Sequence, residues 1–230
     1  MSKMMIASDI HGSAFWCEKL INAFEKENAD TLLLLGDLLY HGPRNPLPDG
    51  YAPMDVAKML NERKTKLVCV RGNCDSEVDQ MVLEFPMRAD YALLSCDGLK
   101  IYATHGHLSC ADAPPPLEKG TLFVNGHFHT PEHKTLENGA IYANCGSVAL
   151  PKDGTPHSYI LLENGVLTWK NLETGKAFDE LTIYKPAPAC LTSGFFFARR
   201  ALKKSVSSRI KCRVRDNTFN GNKLFLHIMY

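Results

Sequence analysis

Two rhythms of hydrophobic positions divide the chain. Residues 3–8 (KMMIAS) and 31–35 (TLLLL) are nearly unbroken apolar runs, the mark of strands covered on both faces. Between them, AFWCEKLINAFEKENA repeats its apolar residues at helical spacing with charges on the other side, which predicts a βαβ unit. A second unit is expected from PMDVAKMLNERK, a helix opened by Pro53, and a strand over 66–70. The front half should therefore be a parallel sheet. Beyond residue 90 the runs shorten, at 91–95, 100–104, 121–125, 133–136, 140–143, 158–162 and 166–170. Asp97-Gly98, Asn138-Gly139 and Asn164-Gly165 supply hairpin turns, so the later strands are expected to be largely antiparallel.

Composition narrows the class. With 45% hydrophobic and 22% charged residues, the 230-residue chain has the balance of a soluble globular protein. No run approaches the roughly 18 apolar residues of a membrane helix, and Asp9 and His11 stand where a signal peptide would still be apolar. A cytoplasmic protein is expected. The eight cysteines form no CxxC pairs and read as small buried hydrophobes in a reducing compartment. Charge splits the chain more sharply: residues 185–230 hold ten Lys/Arg against one Asp, whereas 1–184 hold sixteen against twenty-four Asp/Glu. The seam at YKPAPACLTSG places a boundary at residue 184, with 185–230 expected to be a basic, poorly ordered extension. Nucleic-acid binding by this extension is considered but not favoured, because it contains no recognisable RNA-binding motif.

Chemistry enters at the strand ends. Asp9-x-His11 follows the first strand, Gly36-Asp37 the second, Gly72-Asn73 the third, His105-Gly106-His107 the fifth and Gly126-His127-Phe128-His129 the sixth. In open α/β sheets the carboxyl ends of strands form the crevice where ligands bind, so these side chains should converge. Singly, Asp9 or Asp37 could cap a helix, and Asn73 could be a turn residue, a metal ligand or the neighbour of a nucleophilic Cys74. Jointly they make a mixed oxygen and nitrogen ligand set suited to Mn, Fe, Zn or Co.

The order Asp9-x-His11, Gly36-Asp37, Gly72-Asn73, His105 and Gly126-His127-x-His129 resembles that of the calcineurin-like metallophosphoesterases. More narrowly, SDIHGS, GDLLYHGPRNPLPDGYAP, VRGNCDSEVDQM and THGHL are similar to the YfcE-type bacterial phosphodiesterases, over residues 4–183. The resemblance implies an α/β fold, a four-layer αββα sandwich of two mixed β-sheets flanked by helices, with two divalent metal ions at the strand ends. Manganese is the first expectation, with Zn, Fe, Co or Ni as alternatives. Asp9, His11 and His129 would hold the first ion, Asp37 would bridge, and Asn73, His105 and His127 would complete the second. A hydroxide shared by the two metals would then attack a small phosphate diester. Asn73, Cys74 and His105 are the catalytic candidates. Many relatives carry a proton-donating His where Cys74 stands, and a thiol is a poorer acid near neutral pH, which implies leaving groups that need little protonation. His41, Arg44 and His107 are the substrate-binding candidates. Asn144-Cys145-Gly146-Ser147 replaces the relatives' N-P-G-S, removing the rigidity of a proline. A phosphomonoesterase and a non-catalytic Vps29-like interaction scaffold are the alternatives, and the complete ligand set argues against the scaffold.

Overall fold

In a computed structural model of the chain, residues 2–183 are described. The alternation of burial along the first strands shows what lies on each side of them. In β1 (Lys3–Ala7), Met5 and Ala7 pack with α1 (Ala14–Glu27) and α2 (Pro53–Asn61), while Met4 and Ile6 face the opposite way. β2 (Thr31–Leu34) repeats the pattern, with Leu32 and Leu34 under the helices and Leu33 on the far side. A period of two thus splits one apolar run between two cores. α1 starts at Ser13, whose side chain accepts from the Trp16 amide, and stops at Asn28 in the left-handed conformation. α2 starts at Pro53, where the missing N–H costs nothing.

β1, β2 and β3 (Leu67–Cys69) are parallel, as the sequence predicts. β9 (Ser158–Glu163), β10 (Val166–Asn171) and β11 (Ala177–Thr182) extend this sheet antiparallel from β1, in the order β11-β10-β9-β1-β2-β3. The second sheet runs β4 (Tyr91–Cys96), β5 (Leu99–Thr104), β6 (Leu122–Asn125), β8 (Ile141–Cys145), β7 (Pro131–Thr135). Its centre departs from the antiparallel expectation: β5-β6 and β6-β8 are parallel pairs, while β4-β5 and β7-β8 are hairpins. Asp97-Gly98 and Asn164-Gly165 both have positive φ at the two turn positions, the geometry that two-residue hairpins demand.

The two mixed sheets pack face to face. Ile6, Leu33 and Leu35 meet Ile101, Val124 and Ala143, and the buried Trp169 donates its indole N–H to the Asn144 carbonyl at 2.8 Å. Each fully buried Leu or Ile here contributes roughly 1.5–3 kcal/mol. Both α-helices of the described residues lie on the first sheet. The outer face of the second carries an aromatic row, Tyr91, Tyr102, Phe123 and Tyr142, bordered by the Pro115-Pro116-Leu117 segment, whose prolines bar a helix there. The expected boundary at residue 184 and the 185–230 extension lie outside the described residues.

Candidate metal centre

Backbone contact, not side-chain reach, brings the strand-end turns together. A Cβ on Gly72 would lie 2.0 Å from Asp37 Oδ1, and one on Gly126 would lie 2.0 Å from Ser8 Oγ, so only glycine allows these turns to touch. Asp75, which the sequence reading passed over, ties two of the turns. Its Oδ2 accepts from the Asp37 amide at 2.8 Å and the Gly72 amide at 2.7 Å, and its Oδ1 accepts from the Leu38 amide at 2.8 Å. Burial and the charge of Asp37 push the Asp75 carboxyl up to about 6, against these three N–H donors.

Five of the seven ligand candidates sit in strained backbone. Asp9, His11, Asp37, His127 and His129 all have φ between 49° and 65°. Among the described residues, the three histidines are the non-glycine positions with positive φ that are neither Asp nor Asn. Such conformations cost on the order of 1–3 kcal/mol each and persist where surrounding structure enforces them.

Hydrogen bonds to the protein fix which ring nitrogens face inward. His11, His105 and His129 each donate Nδ1–H to a backbone carbonyl, of Tyr40 at 2.9 Å, Leu35 at 2.7 Å and Leu150 at 2.5 Å. Their Nε2 lone pairs then point at other acceptors. His11 Nε2 and His129 Nε2 are 3.3 Å apart, with Asp9 Oδ1 3.4 and 3.2 Å from them. Asp9 Oδ1 is itself buried with no hydrogen-bond donor. His105 Nε2 lies 3.0 Å from Asn73 Oδ1, 3.2 Å from His127 Nδ1 and 3.5 Å from Asp37 Oδ2. Asp37 Oδ2 is also 3.7 Å from His11 Nε2, which puts it between the two groups. Clusters of buried acceptors at these separations repel unless positive charge lies among them. The donor set and the carbonyl-held imidazoles fit divalent metal ions.

In the metal-free protein, protons must supply that charge. Burial works against ionised Asp9, yet the adjacent His11 and His129 imidazoles hold it well below the usual carboxylate range. Burial likewise opposes a charge on His105, but Asp37 and Asp9 raise it to about 9. His127 cannot share the load, because burial and the neighbouring His105 charge depress it to about 4. Burial and Asp37 push the Cys74 thiol up to about 12, so at neutral pH it is protonated.

A cavity of about 390 Å³ opens over the cluster, lined by Asp37, Arg44, Asn45, Asn73, Cys74, His127, Phe128, His129 and Lys152, among others. The structure thus brings together all seven ligand candidates and sets Cys74 and Arg44 on the cavity wall. His41 and His107 are not among its lining residues: His41 packs edge-on between Tyr40 and Tyr51, and His107 stands beside the rings of His105 and His127. Asn45, Phe128 and Lys152 are wall residues that the sequence reading did not select. The proline-free turn at 144–147 is held by other means. Asn144 Oδ1 accepts from the Gly146 amide at 2.9 Å, and Ser147 Oγ donates to the Asp9 carbonyl at 3.1 Å.

Two mixed sheets that present paired carboxylates and imidazoles at their strand ends define the class. Residues 2–165 match the model of the calcineurin-like phosphoesterase superfamily domain, and the chain belongs to that superfamily. Within it, the chain is 47% identical to Phosphodiesterase YfcE of Escherichia coli (strain K12) over 169 residues, covering 73% of this chain and 91% of that protein. A solved structure of E. coli Yfce, a phosphoesterase, superposes with a TM-score of 0.77 at 42% identity, covering 79% of this chain and 100% of that one. Vacuolar Protein Sorting 29 from Cryptosporidium parvum is similar in fold, with a TM-score of 0.53 at 17% identity over 79% of this chain and 98% of that one.

Proposed function

We propose that this chain is a metal-dependent phosphodiesterase whose two divalent ions are held by Asp9, His11 and His129 on one side and Asn73, His105 and His127 on the other, with Asp37 between them. The observation that carries this is the convergence of acceptors around His11 Nε2 and His105 Nε2, with three imidazoles held by backbone carbonyls. The similarity to Phosphodiesterase YfcE supports a diester as substrate. Bound cations would neutralise phosphate charge and lower the pKa of water. The chain's own residues supply the rest. Arg44 and Lys152 line the cavity and have no ion-pair partner among the described residues, so both can meet an anionic ligand. Cys74, protonated and on the wall, is too weak an acid to help a poor leaving group, which suits activated esters. Manganese as the ion and the cytoplasm as the setting are the finer parts of the proposal. The six described cysteines are free thiols, in keeping with a reducing compartment, and among the described residues no helix is long and apolar enough to cross a membrane. The division of the chain at residue 184 belongs to the same proposal: a chain ending there should retain the activity.

The test is turnover of bis(4-nitrophenyl) phosphate and of 4-nitrophenyl phosphate by chelator-treated protein before and after adding Mn²⁺. Diester hydrolysis restored by the metal, with slower monoester hydrolysis, is the expected result. Undiminished turnover in chelator, or faster hydrolysis of the monoester, would overturn the reading.

A further inference from the structure

Phe128 is a large apolar side chain, 45% exposed, standing between two metal-ligand candidates. Its position follows from the turn. His127 and His129 both take φ of 65°, and the Phe128 amide bonds back to the Gly126 carbonyl at 2.7 Å. That tight reversal sends both imidazoles to the acceptor cluster and the intervening ring to the cavity wall. The Phe128 ring is braced: His127 meets it edge to face at 5.2 Å and 74°. The turn also holds the next part of the wall, since the Lys152 amide donates to the His129 carbonyl at 3.2 Å. Pro43 and Arg44 contribute further apolar and planar cationic surface to the cavity.

A volume of about 390 Å³ is in the range of small-molecule sites, roughly 300–1,000 Å³. A phosphate seated on the acceptor cluster leaves most of it for an ester group. A braced aromatic face in a cavity that a guanidinium also lines selects planar π-systems over alkyl chains. We propose that Phe128 is a specificity-determining residue, the platform on which an aromatic ester group of the substrate, an aryl ring or a nucleobase, stacks while its phosphate occupies the metal centre. This rests on the diesterase reading and deepens it by naming the class of ester.

The experiment measures binding to the full-length, Mn²⁺-loaded protein by calorimetry, using phenylphosphonate and methylphosphonate, whose P–C bonds are not hydrolysed. Wild type should bind the phenyl compound about three- to tenfold more tightly. Phe128→Tyr should keep that ratio, whereas Phe128→Leu, similar in bulk but without a π-face, should lose most of it at equal metal content. The KM for bis(4-nitrophenyl) phosphate should rise by a similar factor in Phe128→Leu. A ratio near one in wild type overturns the proposal whatever the variants do, as does a Phe128→Leu protein that binds its metals and keeps the ratio. Turnover of the diester by wild type judges the diesterase reading separately, so the two can fail independently.

Discussion

The two sheets contribute unlike halves of the centre. β1, β2 and β3 deliver Asp9, His11, Asp37 and Asn73, a half dominated by oxygen; β5 and β6 deliver His105, His127 and His129, a half made of imidazole. The oxygen half is braced within its own sheet: the Asp9 amide donates to the Gly36 carbonyl, the His11 amide to the Asp37 carbonyl, and Asp75 clamps the 36–38 and 72 turns. The imidazole half leans across the gap. His105 Nδ1 donates to Leu35 on the first sheet, and the His127 amide donates to Asp9 Oδ2 at 3.0 Å. The oxygen half is therefore held by its own sheet and the imidazole half by bonds to the other, so face-to-face sheet packing sets how close the two come. Asp37 is the side chain whose carboxylate lies between His11 and His105.

The largest break should come from that shared position. Asp37→Asn removes a charge from between His11 and His105, so both metals should be weakened together. Loss of metal stabilisation worth several kcal/mol corresponds to roughly a thousandfold or greater fall in kcat/KM. Mass-spectrometric metal analysis should show well under two ions per chain, and full occupancy would refute the shared role. His127→Ala strikes the imidazole half alone. One ion should remain, with activity lower by roughly 10²-fold or more, while the Asp9, His11 and His129 group stays metallated. Retention of two ions would remove His127 from the proposed ligand set.

Asp75→Asn sharpens the contrast by touching no acceptor in the cluster. An amide can replace only part of a carboxylate that accepts three backbone N–H bonds, so the 36–38 and 72 turns should loosen. Supporting residues of this kind typically change metal affinity by about 10–100-fold. Metal titration should show weakened binding of both ions, since Asp37 and Asn73 lie in the clamped turns, with less effect on turnover once metal saturates. Unchanged affinity would mean that glycine packing alone holds the turns.

How much of this was legible follows from where each signal lies. Asp9, His11, Asp37, Asn73, His105, His127 and His129 could be read because each stands directly after an apolar run, and strand ends converge in this kind of sheet. Asp75 could not, because an Asp after a Gly-Asn turn looks like ordinary turn chemistry, and two of its three partners come from a turn 37 and 38 residues away. β11 was missed for a different reason: AFDELT is an exposed edge strand with no buried face to leave an alternating pattern. The parallel β5-β6-β8 core was hidden by true hairpin signals beside it, since β7 pairs with β8 and not with β6. In the YHGPRN stretch the His41 ring packs on Tyr40 and Tyr51, while Gly42, Pro43, Arg44 and Asn45 line the cavity. Phe128 and Lys152 carry no sequence signal of their own; their exposure to the cavity is created by the strained turn.

The smallest effect is one of stability, and it concerns the proton that His105 carries without metal. Its pKa is raised to about 9 against an unfolded value near 6.5. The stabilisation this represents is complete below pH 6.5 and is lost as pH rises through 9. His11 is shifted upward as well: burial opposes its charge, but the adjacent Asp9 carboxylate prevails. Between pH 6.5 and 8, before unfolded thiols titrate, chelated protein should therefore lose a few degrees in Tm. Metal reverses the dependence. Ligand imidazoles must be neutral to bind it, so the Tm increment from saturating Mn²⁺ should grow over the same interval. His105→Gln should flatten the slope of the chelated protein, because its main titrating group is gone. A chelated wild type whose Tm rises from pH 6.5 to 8 would show that His105 is not held charged between the two sheets, and that the acceptor cluster is relieved without it.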